Sequence, residues 1–192
     1  MGTPETLEPL LDPVTAVQRL IDQFDQRGVI IGGVAVSLLG QPRLTADADA
    51  MLLLSFDELP QLLDLAQAQG LTPRISDVIP FARQSRVVLL KHEASGINVD
   101  ISLGLLPFEV EAVERSREYQ AGALRLRLPT PEDLIILKAV AHRPKDMLDI
   151  ASIIAVQSNL DQKRIAFWVQ QFADLLEMPE LWDDIEKLLR SQ

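Results

Sequence analysis

The stretch Val29–Leu54, VIIGGVAVSLLGQPRLTADADAMLLL, places two carboxylates, Asp47 and Asp49, at the head of a run with the composition of a buried strand. Side chains two residues apart on a strand share a face, so the pair points one way and repels unless a proton or a cation intervenes. A metal site resolves that cost. Ahead of the acids, Val29–Ile31 reads as a short buried strand, Gly32-Gly33 as a turn, and the apolar residues to Gly40 as a short helix. A Gly pair between strand and helix serves as a tight turn, and it also leaves backbone N–H groups and a helix N-terminus open to an anion.

The rest of the chain is built around this segment. Residues 1–12, rich in Pro and Glu, read as a loose arm, and Asp12-Pro13 as an N-cap with Pro at the first helical position. Val17, Leu20, Ile21 and Phe24 recur at helical spacing. After the loop at Gly40–Arg43, residues 45–54 read as a strand and Ser55 as a cap for a helix to Gly70, with Glu58 in the capping-box position. The segment with Pro73 and Pro80 is irregular. Residues 86–92 and 97–103 read as strands joined by the hairpin loop Glu93–Gly96. A short helix over 107–117 and one strand over 119–128 come next. Thr130-Pro131 then caps a helix, Pro144 breaks it, and helical stretches are expected at 146–157, 161–176 and 179–190.

This order predicts an α/β (α+β) fold in which a mixed sheet is flanked by helices and followed by a helical C-terminal portion. The expected division is a 13–129 core and a 130–192 helical portion that completes the cleft.

Lys and Arg number 18 against 28 Asp and Glu, a net charge of −10, which excludes a surface that grips nucleic acid throughout. The chain has no cysteine, so disulfides, thiolate metal sites and thiol catalysis are excluded, and the cytoplasm is the expected compartment. The uncharged run Gly28–Pro42 is far shorter than a membrane span, so no membrane partner is expected. The acidic N-terminus does not have the pattern of a signal peptide.

A third acid, Asp100, lies inside the apolar strand Asn98–Ser102. If its strand neighbours that of Asp47 and Asp49, three carboxylates converge. Two such charges about 4 Å apart repel by roughly 4 kcal/mol at an effective dielectric of 20. All-oxygen ligation favours Mg2+, or Mn2+, over zinc. Taken singly, each Asp fits a strand end facing water equally well. His92 and His142 are the only histidines, too few for a clustered zinc site. No Ser has neighbours that suggest a triad. Between Arg115 and Lys145 seven basic residues stand against three acids, and Arg125 and Arg127 make one strand face basic.

Gly32-Gly33, the intervening helix, Arg43-Leu44-Thr45, then Asp47-Ala48-Asp49 and the distant Asp100 resemble the nucleotidyltransferase superfamily typified by DNA polymerase beta. The resemblance implies that Gly32, Gly33, Arg43 and Thr45 bind the nucleotide, with the two glycines holding its phosphates. It also implies that Asp47, Asp49 and Asp100 are catalytic and bind metal, with Asp100 helping to activate the attacking hydroxyl. The segment Pro131–Lys138, with His142, Arg143, Lys145, Asp146 and Asp149, resembles the abortive-infection type of minimal nucleotidyltransferase of bacterial toxin-antitoxin systems. There a Lys contacts triphosphate and an Asp supports the site, roles that fall on Lys138 and Asp146. The chain departs from the family pattern at Gly33, where many members carry Ser, and at Ala48 and Ala50, where bulkier apolar residues are usual.

The activity implied by this resemblance is Mg2+- or Mn2+-dependent transfer of a nucleoside monophosphate from a nucleoside triphosphate (NTP). The expected acceptor is a hydroxyl on RNA, protein or a small molecule, and a cognate toxin or antitoxin is a candidate partner. The alternative is a catalytically weak nucleotide-binding or protein-interaction module on the same fold.

Overall fold

A computed structural model describes residues 5–190, with the side chains from Leu7 onward. The chain divides into two compact units, residues 1–35 with 43–129 and residues 36–42 with 130–192.

In the first unit, α1 (Leu11–Gln23) leads to β1 (Gly28–Ile31), α2 (Gly32–Leu39) starts at once, and β2 (Asp47–Leu52) returns antiparallel to β1. Then come α3 (Leu59–Ala68), β3 (Leu71–Pro73), α4 (Val78–Ser85), β4 (Val87–His92), β5 (Asn98–Leu103), α5 (Pro107–Glu114) and the hairpin β6 (Arg117–Ala121) and β7 (Leu124–Leu128). Five strands form one mixed sheet in the order β1-β2-β5-β4-β3. Only β2 and β5 run parallel, and they sit side by side. This is the mixed α/β fold expected from the sequence.

The period-2 pattern sorts the sheet's faces. Ala48, Ala50 and Leu52 on β2, Val99, Ile101 and Leu103 on β5, and Val88 and Leu90 on β4 are buried. The alternate residues Asp47, Asp49, Asp100, Ser102, Val87 and Leu89 are only half-buried. α1 packs against β1 and β2 through the stripe Val14, Val17, Leu20, Ile21 and Phe24, all of it buried. Fully burying each such side chain stabilises the unit by about 1.5–3 kcal/mol.

Several elements differ from the sequence expectation. Glu5–Leu10 form a 3-10 helix that buries Leu7 and Leu10, where a loose arm is expected; the part of that arm over residues 1–4 lies outside the described residues. α1 begins at Leu11, ahead of the expected Asp12 cap. The irregular segment contains β3 and α4, because Pro73 ends an edge strand and Pro80 falls in the first turn of α4, where no N–H is needed. Residues 119–128 form two strands rather than one, since Gly122 takes φ +61° and folds the chain back. The Ser55 cap is as expected, with the Ser55 N–H donating to Glu58 Oε2 at 2.8 Å, though a 3-10 turn precedes α3.

In the second unit, α6 (Pro131–Ala141) packs against α7 (Pro144–Val156), α8 (Gln162–Leu176) and α9 (Glu180–Arg190). Thr130 Oγ1 accepts from the Asp133 N–H at 3.2 Å and caps α6. The end of α2 is tied to α7: Gln157 Nε2 donates to the Leu39 carbonyl at 2.6 Å and the Gln41 N–H to Ser152 Oγ at 2.7 Å. No helix among the described residues is long and apolar enough to cross a membrane.

Candidate active site

The parallel register pairs Asp47 with Asn98 and Asp49 with Asp100. Directly opposed residues on neighbouring strands share a face, so Asp47, Asp49 and Asp100 form one acidic patch. The pKa of Asp100 is raised. Burial is the main cause, the Asp47 charge adds to it, and Arg74 opposes it through its own charge and hydrogen bond.

The Gly pair closes the patch on its β1 side. Ile31 is the register partner of Asp49, so α2 starts beside that acid. Gly32 has φ +64°, and a Cβ built on it would fall 1.9 Å from Asp49 Oδ2. A Cβ on Gly33 would fall 2.3 Å from Thr45 Oγ1. Both positions therefore require glycine, one for its conformation and both for space. Thr45 Oγ1 in turn donates to Asp47 Oδ1 at 3.2 Å. The first-turn N–H groups of α2 have no acceptor within the helix, and the macrodipole favours an anion there. Arg43 lies on the same loop and donates from Nη1 to the Leu44 carbonyl at 3.0 Å.

Arg74 is absent from the sequence-derived set. Its Nη2 donates to Asp100 Oδ1, which fixes the third carboxylate. The one signal in the sequence is that Arg74 is the sole basic residue between Arg43 and Arg83.

Lys138 and Asp146 lie in the second unit. Lys138 is buried, and its Nζ donates to Asp146 Oδ1 at 3.1 Å and to Asp149 Oδ2 at 2.7 Å, joining α6 to α7. Arg143 Nε adds a bond to Asp146 Oδ2 at 2.6 Å. Burial pushes the Asp146 pKa up, but the Arg143 hydrogen bond and the Lys138 charge outweigh it and leave the pKa below the usual value. Within this unit the Lys138 ammonium thus acts as an interhelical tie, with two of its three donors engaged.

The acidic patch suits a divalent cation of the magnesium type. No three His, Cys, Asp or Glu side chains among the described residues converge to hold an ion alone. Mg2+ does not need such a cage, because it is commonly held by one or two carboxylates together with substrate phosphates. Asp47 and Asp49 are the carboxylates that could serve in this way, and the Asp49 carboxylate packs directly against the Gly32 backbone, where no side chain intervenes.

Three solved structures share the fold. An antigenic nucleotidyltransferase-like protein from Paracoccidioides brasiliensis matches with a TM-score of 0.56 and 14% identity, covering 96% of this chain and 94% of its own. The antibiotic-resistance factor ANT(2'')-Ia matches with a TM-score of 0.55 and 15% identity over 88% of this chain and 95% of its own. The lincosamide antibiotic adenylyltransferase LnuA, solved with lincomycin bound, matches with a TM-score of 0.51 and 14% identity over 82% of this chain and 100% of its own. At such identities the likeness is one of fold. No curated protein matches the chain in sequence. The family described as "Nucleotidyltransferase of unknown function (DUF6036)" matches residues 8–178, nearly the whole chain, and the protein belongs to that nucleotidyltransferase family.

Proposed function

We propose that the protein is a divalent-cation-dependent enzyme that transfers a nucleoside monophosphate from an NTP to a hydroxyl. The observation that supports this most is the single patch formed by Asp47, Asp49 and Asp100 beside the Gly32-Gly33 turn. Asp47 and Asp49 hold the cation, Mg2+ or Mn2+, with Thr45 orienting Asp47 through its hydroxyl. The N–H groups at the start of α2 hold phosphate oxygens, and Arg43 adds positive charge on the same loop. Bound there, the cation neutralises charge that develops on the transferring phosphoryl group.

Asp100 takes the proton of the acceptor hydroxyl. The acceptor oxygen forms a bond to the α-phosphorus as the bond from that phosphorus to the bridging oxygen breaks, and pyrophosphate leaves. An adenylyltransferase among the structural neighbours supports a nucleoside monophosphate as the group transferred. The acceptor is drawn from RNA, protein or small molecules, and a cognate toxin or antitoxin is the proposed protein partner. Incubating the chain with Mg2+, each of four labelled NTPs and acceptor pools tests the proposal. Label should move to one pool and fail to move with Asp49→Asn; absence of transfer to every pool overturns it.

A second reading, a nucleotide-binding module with weak turnover, is favoured by Gly33, which brings no hydroxyl to the phosphates, and by the engagement of Lys138 with Asp146 and Asp149. It predicts nucleotide binding without label transfer.

A further inference from the structure

Arg74 stands one residue past β3, and its backbone N–H donates to the Leu89 carbonyl at 3.0 Å, which extends the β3–β4 ladder by one position. The register then runs Arg74, Leu89, Asp100, Asp49 and Ile31 in one row across the sheet. The Arg74 side chain passes Leu89 to reach Asp100 from the flank opposite Asp49. Its Nη2 donates to Asp100 Oδ1, while its Nε–H is buried with no hydrogen-bond partner among the described residues. Asp100 Oδ1 is therefore engaged while the Nε donor of the guanidinium is not, although its five donors sit in a fixed fork. A group left short of acceptors is one that a better anion can draw away.

The same pairing affects cations. An acid engaged by arginine offers a metal fewer lone pairs, and the adjacent positive charge repels a divalent ion. Building on the nucleotidyl transfer proposed above, we propose that Arg74 is a positioning residue that takes the place of a second cation at Asp100 until the phosphates of a bound nucleotide draw its guanidinium away. Without nucleotide the protein has one divalent site, at Asp47 and Asp49. With nucleotide, phosphate oxygens accept from the guanidinium in the forked geometry that arginine favours, and Asp100 becomes available to a second ion. Binding is thereby ordered, with nucleotide ahead of the second cation.

Mn2+ binding to the full chain, followed by the electron paramagnetic resonance of the free ion, tests this without any turnover. The titrations are run alone and with an NTP analogue whose α,β link is a methylene. Wild type should take one Mn2+ alone and two with the analogue. Arg74→Met should take two alone, or bind the second at least tenfold more tightly than wild type does. Asp100→Asn should stay at one Mn2+ in both conditions. Arg74→Gln gives the same comparison if Arg74→Met does not fold. Two ions on wild type alone, one ion in both conditions, or an Arg74 variant indistinguishable from wild type overturns the role of Arg74 while leaving nucleotidyl transfer standing. No Mn2+ on wild type even with the analogue overturns cation dependence itself, and this inference with it.

Discussion

Asp49 and Asp100 are direct register partners on β2 and β5, the one parallel pair in the sheet. Antiparallel neighbours can follow each other through a hairpin, but parallel ones need a crossover. Here the crossover runs through α3, β3, α4 and β4, and it brings together two acids 51 residues apart in the chain. The acidic patch is thus a product of topology, and both acids should be indispensable to it.

Asp47→Asn and Asp49→Asn each keep size and hydrogen-bonding capacity but remove a formal charge. Label transfer should fall by about 10³-fold, equivalent to about 4 kcal/mol of transition-state stabilisation. The thermal midpoint should stay or rise, since like charges on one face are relieved. A variant that keeps more than about a tenth of the wild-type rate would exclude that acid as a cation ligand.

Gly32→Ala should damage the site through both space and backbone conformation. The new methyl falls where Asp49 Oδ2 lies, and φ +64° is unfavourable for an L residue by roughly 1–2 kcal/mol. We expect a modest loss of stability with a near-complete loss of Mn2+ binding, measured by calorimetric titration. Unchanged Mn2+ affinity would show that Asp49 has freedom to move.

Lys138→Met removes the cation that two buried carboxylates share. Leaving Asp149 without it should cost about 3–5 kcal/mol, which lowers the thermal midpoint by roughly 10 °C. Reduced nucleotide affinity with an unaltered midpoint would instead place Lys138 among the phosphate ligands.

Glu58 links acid stability to the Arg27 contact. The Arg27 guanidinium, 2.6 Å away, donates to Glu58 and holds its pKa down to about 2, from an ordinary 4.5. A depressed carboxylate stabilises the fold above its unfolded pKa, and the contribution disappears as pH falls from about 4.5 to 2. The pair is partly exposed, so solvent screening limits its worth to about 1 kcal/mol. Denaturant midpoints of wild type and Glu58→Gln should differ at pH 7 and converge by about pH 2. A gap that persists in acid would point to the loss of the cap at Ser55 instead.

Local patterns carried much of this in the sequence. The β1–α2–β2 segment is legible because its signals, the Gly pair and the alternation through Asp47 and Asp49, operate within a few residues. The face shared with Asp100 is not, because it depends on β2 choosing β5 as neighbour, and periodicity says nothing about strand order. Arg74 is harder still, since its reach across Leu89 exists only once β3 has paired with β4. Gly122 misleads in the opposite direction. Flanked by alanines within a run of alternating residues, it reads as part of a strand until its left-handed backbone turns the chain. The burial of Lys138 depends on α7 packing against α6, which helical spacing within α6 does not reveal.

The short strand β3 carries one more consequence. It forms the outer edge of the sheet for only three residues and ends at Pro73, which has no N–H to offer. An approaching strand finds few free backbone groups there, so growth by stacking of copies edge to edge is discouraged on that side.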